Sequence, residues 1–121
     1  MASRGARLRA RLAAGETVLG SWVGLGSTLT AEIMGLAGFD WLVIDLEHGA
    51  GGEQAMLGQL QALAHTGAVA LVRVESIDSA RVLHALDAGA DGVLVPRLRS
   101  AVSICTAQKT SPSACASVPW R

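Results

Sequence analysis

An aspartate, a glutamate and a histidine, Asp45, Glu47 and His48, follow directly on the apolar run Trp41-Leu42-Val43-Ile44. An unbroken run of large apolar residues suits a strand buried on both faces, as in a parallel sheet. Two carboxylates and an imidazole placed where such a strand surfaces are costly unless they are paired or put to use. An imidazole takes up and releases protons near neutral pH, which suits general acid–base chemistry. Asp45 precedes His48 by three residues. It suits a carboxylate that orients the ring or holds its proton, and equally a carboxylate of a strand-end turn. In α/β folds the carboxyl ends of the strands carry the chemistry, so this segment is the expected catalytic edge.

Regular elements are needed to bring such an edge together. Four apolar runs recur, Val18 to Val23, Trp41 to Asp45, Val69 to Val74 and Gly92 to Val95, with a helix-like stretch between each pair. A repeat of roughly 25 residues matches successive βα units. Thr28 or Thr30 caps a helix over Ala31 to Ala37, which Gly38 stops. Glu53 to His65 has apolar residues at Met56, Leu57, Leu60, Leu63 and Ala64, with Gly67 just beyond. Asp78 caps Ser79 to Ala88, with Val82, Leu83 and Leu86 on one face and Gly89 at the end. This alternation predicts an α/β fold with a parallel sheet. The first βα turn, Gly24-Leu25-Gly26-Ser27-Thr28-Leu29, lacks the third glycine of a dinucleotide fingerprint. That favours a (β/α)8 barrel of the TIM type over an open doubly wound sheet. A complete barrel has eight units and about 250 residues. These 121 residues hold four units.

The chain is 50% hydrophobic and 17% charged, with a formal net charge of zero. That balance suits one small soluble domain and offers no basic footprint for nucleic acid. No apolar run reaches the roughly 20 residues that span a membrane. Met1 to Ala14 carries Arg4, Arg7, Arg9 and Arg11 and no acid. It reads as a short amphipathic helix, with Leu8 and Leu12 one turn apart and the arginines in solvent, although an organelle transit peptide has a similar composition. Without an apolar signal region, a cytoplasmic location is expected. Cys105 and Cys115 have no nearby histidine, so free thiols are expected rather than a zinc site. Beyond Ser100 the pattern changes, and Val102 to Val118 has no acid and no sustained helical face. The domain reading is therefore half a barrel over residues 1–100. An irregular tail follows over 101–121, either flexible or outside the natural coding frame.

Several segments in order resemble the HpcH/HpaI family of class II pyruvate aldolases. They are Leu19-Gly20-Ser21-Trp22, Ala31-Glu32-Ile33, Gly38 to Gly49, Leu71-Val72-Arg73-Val74, and Leu86-Asp87-Ala88-Gly89-Ala90-Asp91-Gly92-Val93-Leu94-Val95-Pro96. The resemblance runs from about Leu8 to Ser100. It implies a barrel of the phosphoenolpyruvate/pyruvate-binding superfamily and reversible aldol cleavage of 4-hydroxy-2-oxo acids to pyruvate and an aldehyde. It also implies a divalent metal, Mg²⁺, Mn²⁺ or Co²⁺, and assembly of identical subunits as trimers or hexamers. The implied substrate is a small 2-oxo acid, with no nucleic-acid or membrane partner.

By the same resemblance His48 is the general base that removes the C4 hydroxyl proton. Arg73 stabilises the developing enolate of pyruvate, a task for which an always-charged forked guanidinium is suited. Asp87 matches an aspartate that raises the basicity of the catalytic histidine. It ends a helix and precedes a strand, so a role across a subunit interface is what would reconcile its position with that task. Glu47 contacts metal-bound water or faces solvent. His65 and His84 fall within helices as surface or packing residues. The family's metal ligands, a Glu and an Asp, belong to the second half of the barrel and are not among these residues. The isolated chain is therefore expected to be inactive and poorly soluble. Two alternatives stand beside the aldolase: a citrate-lyase-like carbon–carbon lyase acting on CoA esters, and a non-catalytic half barrel.

Overall fold

Leu42, Val43 and Ile44 at consecutive positions leave the middle of the strand Trp41–Asp45 no polar side to present to water, so it is stable only between neighbours. The computed structural model describes residues 1–99. Cys105, Cys115 and the tail expected over 101–121 lie outside the described residues. The elements are α1 (Arg4–Ala13), β1 (Gly20–Val23), α2 (Thr28–Leu36), β2 (Trp41–Asp45), α3 (Glu53–Ala64), β3 (Val69–Arg73), α4 (Ser79–Asp87) and β4 (Gly92–Leu94). The strands are parallel and lie in chain order, β1-β2-β3-β4, so that β2 and β3 are central. Among the described residues they make three successive βα units of the (β/α)8 barrel type and the strand of a fourth.

Register sorts the side chains. Trp22 lies opposite Val43, Asp45 opposite Arg73, and Arg73 opposite Leu94. Successive residues of a strand point to opposite faces. Val23, Leu42, Ile44, Ala70 and Val72 therefore share one face, and Trp22, Val43, Asp45, Leu71 and Arg73 share the other. The first set packs in one core with Ala31, Met56, Leu60, Leu63, Val82 and Ala85 of the helices. Burying each large aliphatic side chain there contributes about 1.5–3 kcal/mol. The second face carries the polar residues at its carboxyl end.

The element ends differ from expectation in small ways that have physical causes. Ser27, rather than Thr28 or Thr30, caps α2: its backbone is extended and its hydroxyl accepts the Thr30 N–H at 3.3 Å. The cap falls to the last residue before helical backbone begins, and both threonines already lie in the first turn. Asp78 caps α4 as expected, accepting the Ala80 N–H at 2.9 Å. β1 starts at Gly20 rather than Val18, because Gly20 is the first residue with a partner on β2. β3 and β4 stop at Arg73 and Leu94, the last pair of their ladder.

The helix α1 forms as expected, but its arginines are not all left in solvent. Arg4 donates to the Leu63 and Thr66 carbonyls at 2.8 and 3.4 Å and lies 3.0 Å from Asp91. Arg11 pairs with Glu16 at 2.7 Å and also with Asp40. Arg11, and after it the Leu19 N–H, hold the Asp40 carboxyl below its ordinary range. A helix this short has little apolar area to bury, so charged bonds fix it beneath the amino ends of the strands. Among the described residues no helix is long and apolar enough to cross a membrane.

Two loops meet above the carboxyl ends. The Ala50 N–H donates to the Gly24 carbonyl at 2.7 Å. Gly26 has φ 65°, and a Cβ added there would stand 2.8 Å from Gly51 Cα. Left-handed backbone and a backbone neighbour together exclude a side chain. Gly26→Ala is expected to lower stability by about 1–3 kcal/mol, seen as a lower urea midpoint at unchanged slope. A midpoint equal to that of the native chain would contradict the close approach.

Candidate active site

The parallel register that places Asp45 beside Arg73 builds the site. Asp45 is 8% exposed. Arg73 grips it with two prongs, Nε donating to Oδ1 at 2.9 Å and Nη2 to Oδ2 at 2.6 Å. Oδ1 also accepts the backbone N–H groups of Glu47 at 3.0 Å and His48 at 3.2 Å. This side-chain-to-backbone turn closes the chain tightly after β2. The Arg73 bonds, helped by those backbone N–H groups, outweigh the cost of burial and lower the Asp45 carboxyl to about 2.

Arg73 is held from further sides. Its Cζ lies 4.3 Å from the centroid of the Trp22 ring, within range for a cation–π contact. Its Nε lies 3.5 Å from Glu47 Oε2. A guanidinium bound by Asp45, Glu47 and Trp22 together has little orientational freedom left to lose when it meets a ligand.

Glu47, with its side chain 12% exposed, sits among groups that carry or can carry positive charge. Besides Arg73, Arg97 Nη2 lies 3.3 Å from its Oε1 and His48 Nε2 lies 3.8 Å from its Oε2. The His48 side chain is 71% exposed at the open carboxyl edge. Of the two readings of Asp45, the geometry shows the turn carboxylate. Asp45 bonds the His48 backbone, while the carboxylate facing the ring is Glu47. The oxygens of Asp45 are already taken by Arg73, which the register places directly opposite.

Asp45, Arg73 and His48 thus come together at one edge. Asp87 does not join them. It is exposed at the end of α4, before β4 begins, and so lies toward the amino ends of the strands. His65 follows α3 as its C-cap, and His84 Nδ1 lies 3.4 Å from Glu53 Oε1 on the helices rather than among Asp45, Arg73 and His48. Arg97 and Trp22 escaped the reading by sequence. Arg97 follows the fourth strand much as the edge residues end the second and third, so the rule that carboxyl ends carry the chemistry would have flagged it. Trp22 is reached only through register.

Among the described residues no group of three or more His, Cys, Asp or Glu side chains is placed to hold a metal ion. Asp45 and Glu47 are engaged by arginines, and Asp45 by backbone N–H groups as well. The described residues therefore do not fit the divalent metal that the resemblance implies.

The chain has relatives among known proteins. A family model described as HpcH/HpaI aldolase/citrate lyase matches residues 19–116. The hydroxypyruvate/pyruvate aldolase of Agrobacterium fabrum is 45% identical over 95 residues, 78% of this chain and 36% of that protein. The 4-hydroxy-2-oxo-heptane-1,7-dioate aldolase of Escherichia coli is 41% identical over 93 residues, 77% of this chain and 36% of that protein. The crystal structure of an HpcH/HpaI aldolase/citrate lyase family protein from Burkholderia cenocepacia J2315 superposes with a TM-score of 0.74 at 36% identity, over 84% of this chain and 40% of that one. The chain spans little more than a third of the length of the curated relatives it matches, 36% of each of these two.

Proposed function

Because the chain belongs to the HpcH/HpaI aldolase/citrate lyase family, we propose that its strand-end cluster serves the reversible aldol cleavage of 4-hydroxy-2-oxo acids. His48 removes the proton of the C4 hydroxyl. The C3–C4 bond breaks, the aldehyde departs, and the electron pair passes to the C2 oxygen as the enolate of pyruvate. Arg73 stabilises that developing oxyanion. The imidazolium, faced by Glu47, returns its proton to C3. Asp45 is a positioning residue, since it acts by aiming Arg73 and shaping the His48 turn. Asp87 reaches a catalytic histidine only across a subunit interface, in a homo-oligomer of the kind the resemblance implies.

The observation that carries this reading is the two-pronged Asp45–Arg73 pair beside the exposed imidazole of His48. A chimera tests it. With this chain's residues in place of the matching stretch of the Agrobacterium fabrum aldolase, pyruvate release from a 4-hydroxy-2-oxo acid is expected to be retained. A folded but inactive chimera would sink the reading. By itself the 121-residue chain is expected to release no more pyruvate than its own His48→Ala variant, even with Mn²⁺ added, because the described residues offer no ligand set.

A second reading, a half barrel without activity of its own, is favoured by exposed apolar side chains near the open β1 edge. Leu25, Leu29, Ile33 and Leu36 are 59–71% exposed. Such a surface calls for cover. Aggregation in size-exclusion chromatography favours this reading, and a discrete oligomer favours the enzyme.

A further inference from the structure

The mouth of the sheet carries a second arginine whose task the cleavage chemistry above leaves open. Arg97 is a non-glycine residue at φ 57°, a backbone conformation that costs energy for such a residue and recurs at ligand clamps. Its side chain is 69% exposed. Both polar contacts it makes run through Nη2, 3.3 Å from Glu47 Oε1 and 3.2 Å from the Glu75 carbonyl. Among the described residues Nε and Nη1 have no partner. A cavity of about 290 Å³ opens beside it, lined by Glu75, Ser76, Ile77, Pro96, Arg97 and Arg99. The acid in that lining, Glu75, pairs through Oε1 with Arg81 at 3.1 Å, while its Oε2 is buried without a hydrogen-bond partner. The two arginines of the lining, Arg97 and Arg99, are what make the cavity suit an anion. Arg73, by contrast, is already gripped by Asp45.

We propose that Arg97 determines specificity by receiving a second carboxylate of the substrate in the cavity that it lines with Arg99. One prong of the guanidinium is fixed to the protein and the others remain to meet a planar anion. Ile77 and Pro96 wall the short aliphatic spacer that links this carboxylate to the 2-oxo acid end. The assignment rests on the aldolase reading, since it supposes that the 2-oxo acid end lies at Arg73 and His48.

Two acids of equal length separate the questions: 2-oxopentanoate, with one carboxylate, and 2-oxopentanedioate, with two. They are titrated into the ¹⁵N-labelled full chain while the arginine side-chain resonances are followed. Both are expected to shift Arg73. The dioate alone is expected to shift Arg97 and to bind about fivefold tighter at low salt. Arg97→Asn, a residue that tolerates the same backbone, should abolish the gap, while Arg97→Lys should keep part of it. Equal binding of the two acids by the native chain, or a preference that survives in Arg97→Asn, overturns the proposal and leaves the aldolase reading intact. Binding of neither acid overturns the proposal, and pyruvate release by the chimera then decides separately whether the aldolase reading stands.

Discussion

Replacing His48 by alanine in the active chimera is expected to lower kcat by about 10²–10⁴-fold, the usual contribution of a positioned acid–base group. Stability should change by less than about 0.5 kcal/mol. The two expectations have one cause. The imidazole is 71% exposed and its nearest charged neighbour, Glu47, stands 3.8 Å away, so the ring holds nothing together. What ties position 48 to the fold is its backbone N–H on Asp45, which alanine retains. A group that acts only as bonds break should lower kcat and kcat/KM alike, and added imidazole should restore part of the rate. A loss below about threefold, far short of what acid–base catalysis contributes, would remove His48 from the mechanism.

Arg73→Leu should have the largest effect on folding itself, about 2–3 kcal/mol, the cost of leaving a buried carboxylate without its charged partner, moderated because the arginine side chain is 23% exposed. It strands the Asp45 carboxylate, at 8% exposure, with only backbone N–H partners. Replacing both partners, as Asp45→Asn with Arg73→Leu, should cost less than Arg73→Leu alone, because the Asn carbonyl still accepts the Glu47 and His48 N–H groups and no charge is left buried. The pH dependence follows from the same pair. The folded Asp45 carboxyl lies at about 2 against an ordinary 3.8, through its bonds to Arg73. A carboxyl lowered on folding contributes stability that is fully present above its unfolded value and is lost as pH falls toward the folded one. The native chain should therefore lose about 2 kcal/mol between pH 4.5 and pH 2 from this group alone. In Arg73→Leu that limb should be largely gone. Urea unfolding at stepped pH measures both, and parallel pH curves for the two proteins would show that Arg73 does not hold Asp45.

Periodicity and punctuation carried the fold. A short apolar run such as Trp41 to Asp45, with β-branched Val43 and Ile44 and a glycine on either side, suits a strand covered on both faces, and Gly38 ends α2 where expected, in left-handed backbone at φ 95°. Asp78 was legible as a cap because it immediately precedes the apolar-periodic stretch, where an extended residue with an acceptor side chain is wanted. Ser27 was harder to see, since three hydroxyl residues, Ser27, Thr28 and Thr30, compete within one stretch and only the backbone chooses among them. The helical arginines misled in a different way. An amphipathic pattern describes one helix against water, whereas Arg4 and Arg11 meet Asp91 and Asp40, which lie in other units of the chain.

The site divides along the same line. Sequence alone was enough to say that a buried strand surfaces in Asp45, Glu47 and His48, because residue type and run length are local properties. It was also enough for the family, since ordered motifs survive in one dimension. Only the tertiary structure decided which carboxylate serves which partner. Pairing of β2 with β3 sets Asp45 against Arg73, and that contact takes the aspartate from the imidazole and leaves Glu47 facing the ring. Arg97 joins the same edge only because β4 lies next to β3. Register and strand order are products of packing across distant segments, and no window of sequence contains them.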